Sequence, residues 1–151
     1  MIKVKELMTS QLYTLKPTDS VHKARELMLN KHIRHIPIID DEKKLVGLLT
    51  KHDVLEVSVS VLAEIDKEMR DELESGIPIV EVMNTEIVVA DEETNLLDAA
   101  KYMLEQKHGC LPVFRGEELI GILTEADFVK LALHLMNRMD EYESAKNFQI
   151  Q

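Results

Sequence analysis

Apolar and polar positions fall in blocks along this chain, and the blocks come twice. Leu12-Tyr13-Thr14-Leu15 reads as a short strand ended by Lys16-Pro17-Thr18-Asp19, where Pro17 presets φ for a turn. Ser20 then caps a helix whose apolar residues Val21, Ala24, Leu27 and Met28 recur with the helical period. Ile36-Pro37-Ile38-Ile39 and Leu45-Val46-Gly47-Leu48-Leu49 follow as two strands around the polar turn 40–44. Continuous apolar runs of this kind suit strands covered on both faces. Pro37 belongs at the first residue or the edge of its strand, because it cannot donate to a ladder. Farther on, Ile87-Val88-Val89-Ala90 is a strand, and Asn95 caps a helix with Asp98 at N3. Leu111-Pro112-Val113-Phe114 and Leu119-Ile120-Gly121-Ile122-Leu123 are strands around the turn 115–118. The order in each half is strand, helix, strand, strand, helix.

The stretch between the halves carries two patterns. Val57-Ser58-Val59-Ser60-Val61 alternates with the period of a strand, yet Val54, Val61, Leu62, Ile65, Met69 and Leu73 keep a helical stripe. Asp66 with Arg70, Lys67 with Asp71 and Arg70 with Glu74 are opposite charges at (i, i+4) spacing. No turn residue intervenes before Ser75-Gly76-Ile77-Pro78, so one long helix over 51–74 is expected. A similar helix closes the chain, with Phe128, Leu131, Leu135 and Met139 on one stripe and a polar tail fraying after Tyr142.

The halves superpose in sequence. At the 75-residue offset that carries Pro37 onto Pro112, Glu6-Leu7-Met8 falls on Glu81-Val82-Met83, and Ala24, Met28 and Leu29 fall on Ala99, Met103 and Leu104. After the hairpin turn the offset drops to 74, and Gly47, Leu49, Thr50 and Asp53 meet Gly121, Leu123, Thr124 and Asp127. The chain therefore divides into repeats at 1–75 and 76–151. In each Gly-x-x-Thr-x-x-Asp stretch the Thr and Asp have the spacing of a capping box, with Asp at the N3 place. A helix N-terminus of this kind presents free N–H donors to small anions or nucleotides. The bland reading is that both pairs only cap helices.

Composition narrows the function. A net charge of −10, from 28 acids against 18 bases, argues against a general nucleic-acid binder and makes any local cluster of bases informative. The charged N-terminus lacks the apolar centre of a signal peptide, and no apolar run reaches the length of a membrane span. Cys110 is the single cysteine, so the chain reads as cytosolic and free of internal disulfides. The six histidines show neither HExxH nor a Cys/His framework, so no metal site is expected.

Two strand-helix-strand-strand-helix units, each ending Gly-x-x-Thr-x-x-Asp and carrying an apolar-Pro-apolar strand, resemble a tandem pair of CBS domains, the Bateman module. The resemblance covers about residues 3–135 and leaves no further domain within this sequence. It implies an α+β (α/β) fold in which the two CBS repeats pack as a pseudo-two-fold pair, with long inter-repeat and C-terminal helices. It also implies clefts between the repeats that bind AMP, ADP, ATP or S-adenosylmethionine, with Asp on the ribose hydroxyls and Thr near phosphate.

Carried over position by position, the resemblance assigns Thr50, Lys51, His52, Asp53, Arg34, His35, Val88, Val89 and His108 to a first cleft. Thr124, Asp127, Tyr13, Thr14, Ile33, Cys110 and Leu111 go to a second. An ionised Asp accepts two hydroxyl hydrogen bonds, which suits a ribose diol. Charge then separates the two. Arg34, His35, Lys51 and His52 surround Asp53, where the second repeat has Gly109, Cys110, Glu125 and Ala126, so phosphate is expected at Asp53.

With no nucleophile–base pair or metal set in view, the expectation is a non-enzymatic regulatory module. It would have no obligatory cofactor, act as a homodimer and signal to a partner protein. The alternative is a structural dimerisation or adaptor protein with empty or degenerate clefts.

Overall fold

The computed structural model describes residues 1–60 and 65–150. It shows an α+β fold whose elements begin at their caps. A short helix α1 (Val4–Leu7) leads to α2 (Val21–Lys31), where Ser20 Oγ accepts the Lys23 N–H. The hairpin β1 (His35–Ile39) and β2 (Leu45–Thr50) follows, then α3 (Lys51–Ser60), α4 (Lys67–Ser75) and a 3-10 turn, Ile79–Glu81. The second half runs β3 (Ala90–Asp91), α5 (Leu96–Gln106), β4 (Cys110–Arg115), β5 (Glu118–Thr124) and α6 (Glu125–Ile150). Asn95 Oδ1 caps α5 by accepting the Leu97 N–H, as its position in the pattern predicts.

Packing groups the chain into two compact units, Leu12–Val88 and Met1–Gln11 with Val89–Gln151. These units follow contacts rather than the repeat boundary at 75/76. In the first, Val21, Ala24 and Met28 of α2 meet Ile36, Ile38, Leu49, Val54 and Ile79. In the second, Val4 joins Leu96, Ala99, Met103, Leu111, Val113 and Leu123. Val4 and Ile79, 75 residues apart, are both fully buried, so each repeat's leading segment drives an apolar anchor into a core.

The segment after each anchor pairs with a strand. Thr9 and Ile122 exchange N–H···O bonds at 2.9 Å, and Asn84 and Leu48 do the same at 2.9 Å. Glycine permits the approach. A Cβ on Gly121 would meet Met8 Sδ at 2.6 Å and the Thr9 carbonyl at 3.0 Å, and one on Gly47 would collide with the Met83 thioether.

Four expectations change. The strand at 12–15 contracts to one bridge between Leu15 and Ile38, and that at 87–90 to β3. The prolines are the reason, and they also lie deeper than expected, buried at the third position of β1 and of β4. The Leu15 N–H reaches the Pro37 carbonyl and the Ile39 N–H reaches the Leu15 carbonyl. The next rung would need an N–H that Pro37 lacks, so the parallel ladder stops. Pro112 stands in the same relation to Ala90, which pairs with Val113.

The single helix over 51–74 is interrupted: Ile65 and Asp66 are not helical, and Asp66 Oδ1 caps α4 through the Met69 N–H at 2.8 Å. An Asp that satisfies an orphan N–H starts a helix more readily than it continues one. The helical stripe fails with it. Val54 is buried, Met69 and Leu73 are exposed, and Val61 and Leu62 lie outside the described residues. The inward residue of α4 is Glu74, 1% exposed and held by the Arg25 Nε and Nη2 donors at 2.8 Å each. Finally, α6 does not fray at Tyr142 but continues to Ile150, with Phe128 and Leu131 on the core and Leu135 and Met139 exposed.

Because the Thr9 carbonyl is backbone held by paired hydrogen bonds, Gly121→Ala is expected to cost about 1–3 kcal/mol of stability. Gly47→Ala should cost less, since the Met83 thioether can swing aside. Urea denaturation compares the two, and equal losses would show that the carbonyl is not the obstacle.

Candidate functional site

The two Thr/Asp turns have the same backbone and different chemistry. Each Thr ends a strand and each Asp lies in the first turn of the next helix, at N3. In the first, the box is reciprocal: the Thr50 N–H donates to Asp53 Oδ2 at 2.9 Å and the Asp53 N–H donates to Thr50 Oγ1 at 3.1 Å. Thr50 therefore accepts through its hydroxyl and keeps the hydroxyl hydrogen to donate. Among the described residues no donor reaches Asp53 Oδ1, and Asp53 is half-buried.

In the second turn the protein fills its own acceptors. Asp127 Oδ2 takes the Thr124 N–H at 2.9 Å and the Thr124 hydroxyl at 3.3 Å. Asp127 Oδ1 takes the Thr9 hydroxyl at 2.8 Å, and the residue is 3% exposed. The counterpart of Thr9 is Asn84, whose side-chain oxygen instead accepts the Glu86 N–H at 3.0 Å. One side chain on the leading segment thus occupies the Asp127 carboxylate and leaves that of Asp53 open. Thr9 was missing from the sequence-derived site, although the 75-residue offset places it opposite Asn84 and the strand pairing makes it a neighbour of Asp127.

The bases divide between two surroundings. The Lys51 N–H donates to the Arg34 carbonyl at 2.8 Å, as Glu125 does to Gly109 at 3.2 Å, which confirms the equivalence of these positions. Arg34 and Lys51 line a cavity of about 310 Å³ together with Ile33, Arg25 and His32, over a floor that includes Met28 and Val54. Arg34, Lys51 and His32 make no ion pair among the described residues, whereas Arg25 is committed to Glu74. Arg25 from α2 and His32, the residue that caps its C-terminus, join the cavity without having been foreseen; their residue types gave no signal apart from preceding Arg34 in the chain. His35 faces Thr50 in the β1–β2 register, and exposed His52 pairs with Glu56 at 3.0 Å.

The other assigned residues are placed as follows. Cys110 pairs in register with Thr124, and burial together with the Asp127 charge pushes its thiol pKa well up, so it is a packing residue and not a nucleophile. Leu111 belongs to the core, and His108 stacks on Tyr102 with ring centres 5.4 Å apart. Tyr13 lies under the Lys31 ammonium, Thr14 is half-buried beside it in sequence, and Val88 and Val89 are exposed.

Comparison with known proteins fits this duplicated architecture. The family model described as CBS domain matches residues 4–60 and 79–134. The chloroplastic CBS domain-containing protein CBSX1 of Arabidopsis thaliana is 34% identical over 157 aligned residues, which cover 91% of this chain and 66% of that protein. Among solved structures, AcuB of Vibrio cholerae has 36% identity and a TM-score of 0.77, covering 93% of this chain and 97% of its own. CBSX2 of Arabidopsis thaliana, solved in complex with AMP, has 32% identity and a TM-score of 0.73, covering 90% and 99%. The chain spans 31% to 66% of the length of the first four curated relatives it matches. On the match over both repeats, the chain belongs to the CBS-domain family and carries two CBS repeats.

Proposed function

We propose that this CBS pair is a non-enzymatic regulatory module that binds an adenine nucleotide, AMP foremost, at the first repeat. The observation that carries the reading is the open Asp53 Oδ1, next to bases that line a cavity, against an Asp127 whose oxygens are already occupied. Asp53 takes ribose hydroxyls, the Thr50 hydroxyl and the start of α3 meet phosphate, and Arg34 and Lys51 supply the countercharge. The AMP complex of CBSX2, at 32% identity, supports this ligand class. Of the remaining positions assigned through the family pattern, Val88, His35 and His52 belong to the same proposal. So does a second, weaker adenosyl site around Asp127 with Cys110 and Leu111.

Ligand acts by shifting the population of conformations that a partner protein reads. The working form is a cytoplasmic homodimer. On α6, Leu135, Met136, Met139 and Tyr142 are each more than half exposed, an apolar stripe that association would cover. Among the described residues no helix is long and apolar enough to cross a membrane. The adaptor reading, with no ligand at all, draws support from the self-filled Asp127 alone.

Calorimetry with AMP separates the repeats. Asp53→Ala is expected to weaken binding by about tenfold or more, the worth of charge-assisted hydrogen bonds. Asp127→Asn should leave affinity within about twofold while lowering stability, since the protein itself uses that carboxylate. Greater loss from Asp127→Asn would sink the assignment, and no heat or thermal shift with AMP, ADP, ATP or S-adenosylmethionine would favour the adaptor.

Size-exclusion chromatography with light scattering tests the association. A dimer that Leu135→Glu with Met139→Glu converts to monomer is expected. A wild-type monomer at micromolar concentration contradicts the dimer.

A further inference from the structure

We propose that His22, Asp71 and Glu74 form a binding site for a divalent transition-metal cation of the zinc class, tying α4 to α2. One ligand atom from each of the three lies within 4.8 Å of the others. The key atom is His22 Nδ1, which is buried and has no hydrogen-bond partner among the described residues. On the far side of the ring, Nε2 stands 3.2 Å from Glu26 Oε1. That carboxylate holds the proton on Nε2 and turns the Nδ1 lone pair inward, the arrangement in which metal-ligating histidines are oriented by an outer carboxylate.

Facing the lone pair is another acceptor, Asp71 Oδ1, at 3.6 Å. Two acceptors at that separation call for a cation between them. Among the described residues no hydrogen bond reaches the Asp71 carboxylate; Arg70 Nη2 pairs with Oδ1 by charge at 3.7 Å, too long for a hydrogen bond. Glu74, the third ligand, is locked in place by Arg25 through both its oxygens. A carboxylate oxygen carries two lone pairs, so a donor on each does not bar a metal contact.

Formal charge points the same way. The carboxylates of Glu26, Asp71 and Glu74 outnumber the guanidiniums of Arg25 and Arg70, and His22 and Asp71 are 23% and 31% exposed, which leaves a path from solvent. One imidazole and two carboxylates make a nitrogen–oxygen set that zinc accepts with a water as fourth ligand. The sequence could not show this, because His22 and Asp71 meet only when α4 lies along α2.

The protein, stripped with chelator and titrated with ZnCl2 alone by calorimetry, tests the site. His22→Gln should abolish one saturable site, Asp71→Asn should weaken it at least tenfold, and Glu26→Gln should weaken it by about tenfold as the orienting partner. His134→Gln, on exposed α6, should leave it unchanged, and circular dichroism of each metal-free variant separates loss of the site from loss of the fold. Absence of saturable zinc uptake, or uptake that survives His22→Gln, overturns the proposal and leaves the Nδ1–Asp71 contact to a proton.

Discussion

The close pairing of each repeat's leading segment with a strand, made over a glycine, is the constraint on which the rest of the structure depends. Thr9 pairs with Ile122 beside Gly121, and Asn84 pairs with Leu48 beside Gly47. These bonds extend each small sheet and satisfy strand N–H and C=O groups that would otherwise be exposed at an edge. They also fix the anchors Val4 and Ile79 in the two cores. A side chain in place of either glycine would press on the segment that pairs there.

The same pairing sets the chemistry of the carboxylates. Thr9 and Asn84 occupy equivalent places on equivalent segments, so one residue's identity decides whether the neighbouring Asp is used internally or left open. A threonine hydroxyl can donate to Asp127. The oxygen of Asn84 is engaged with the backbone of its own turn. Duplication supplies two equivalent scaffolds, and a single difference on the leading segment leaves their carboxylates differently hydrogen-bonded. The cation-lined cavity beside Lys51 adds charge to the open one.

The connecting stretch shows how a local signal can mislead. Its opposite charges at helical spacing suggested one continuous rod, but Asp66 serves better as a cap than as a member of a helix. Once α4 starts afresh, its inward face is set by a buried ion pair between Glu74 and Arg25 rather than by its apolar residues. Removing Arg25 would take two charge-assisted hydrogen bonds from a carboxylate that has little access to water. Met69 and Leu73, the residues that made the stripe, face solvent.

The sequence by itself determined the duplication, the strand-helix-strand-strand-helix order, the caps at Ser20 and Asn95 and both Thr/Asp turns. Apart from the duplication, which is read at the 75-residue offset, each depends on residues within a few positions of one another. It also carried the charge difference between Arg34 with Lys51 and Gly109 with Glu125, because that is a matter of residue type. Only tertiary structure decided how far the ladders run past Pro37 and Pro112, since a missing donor matters only where a neighbouring strand needs it. It likewise decided which carboxylate is spent, for Thr9 and Asp127 lie 118 residues apart and meet through strand pairing alone. The His22, Asp71 and Glu74 grouping has the same origin: spacing along the chain hides what two packed helices bring together.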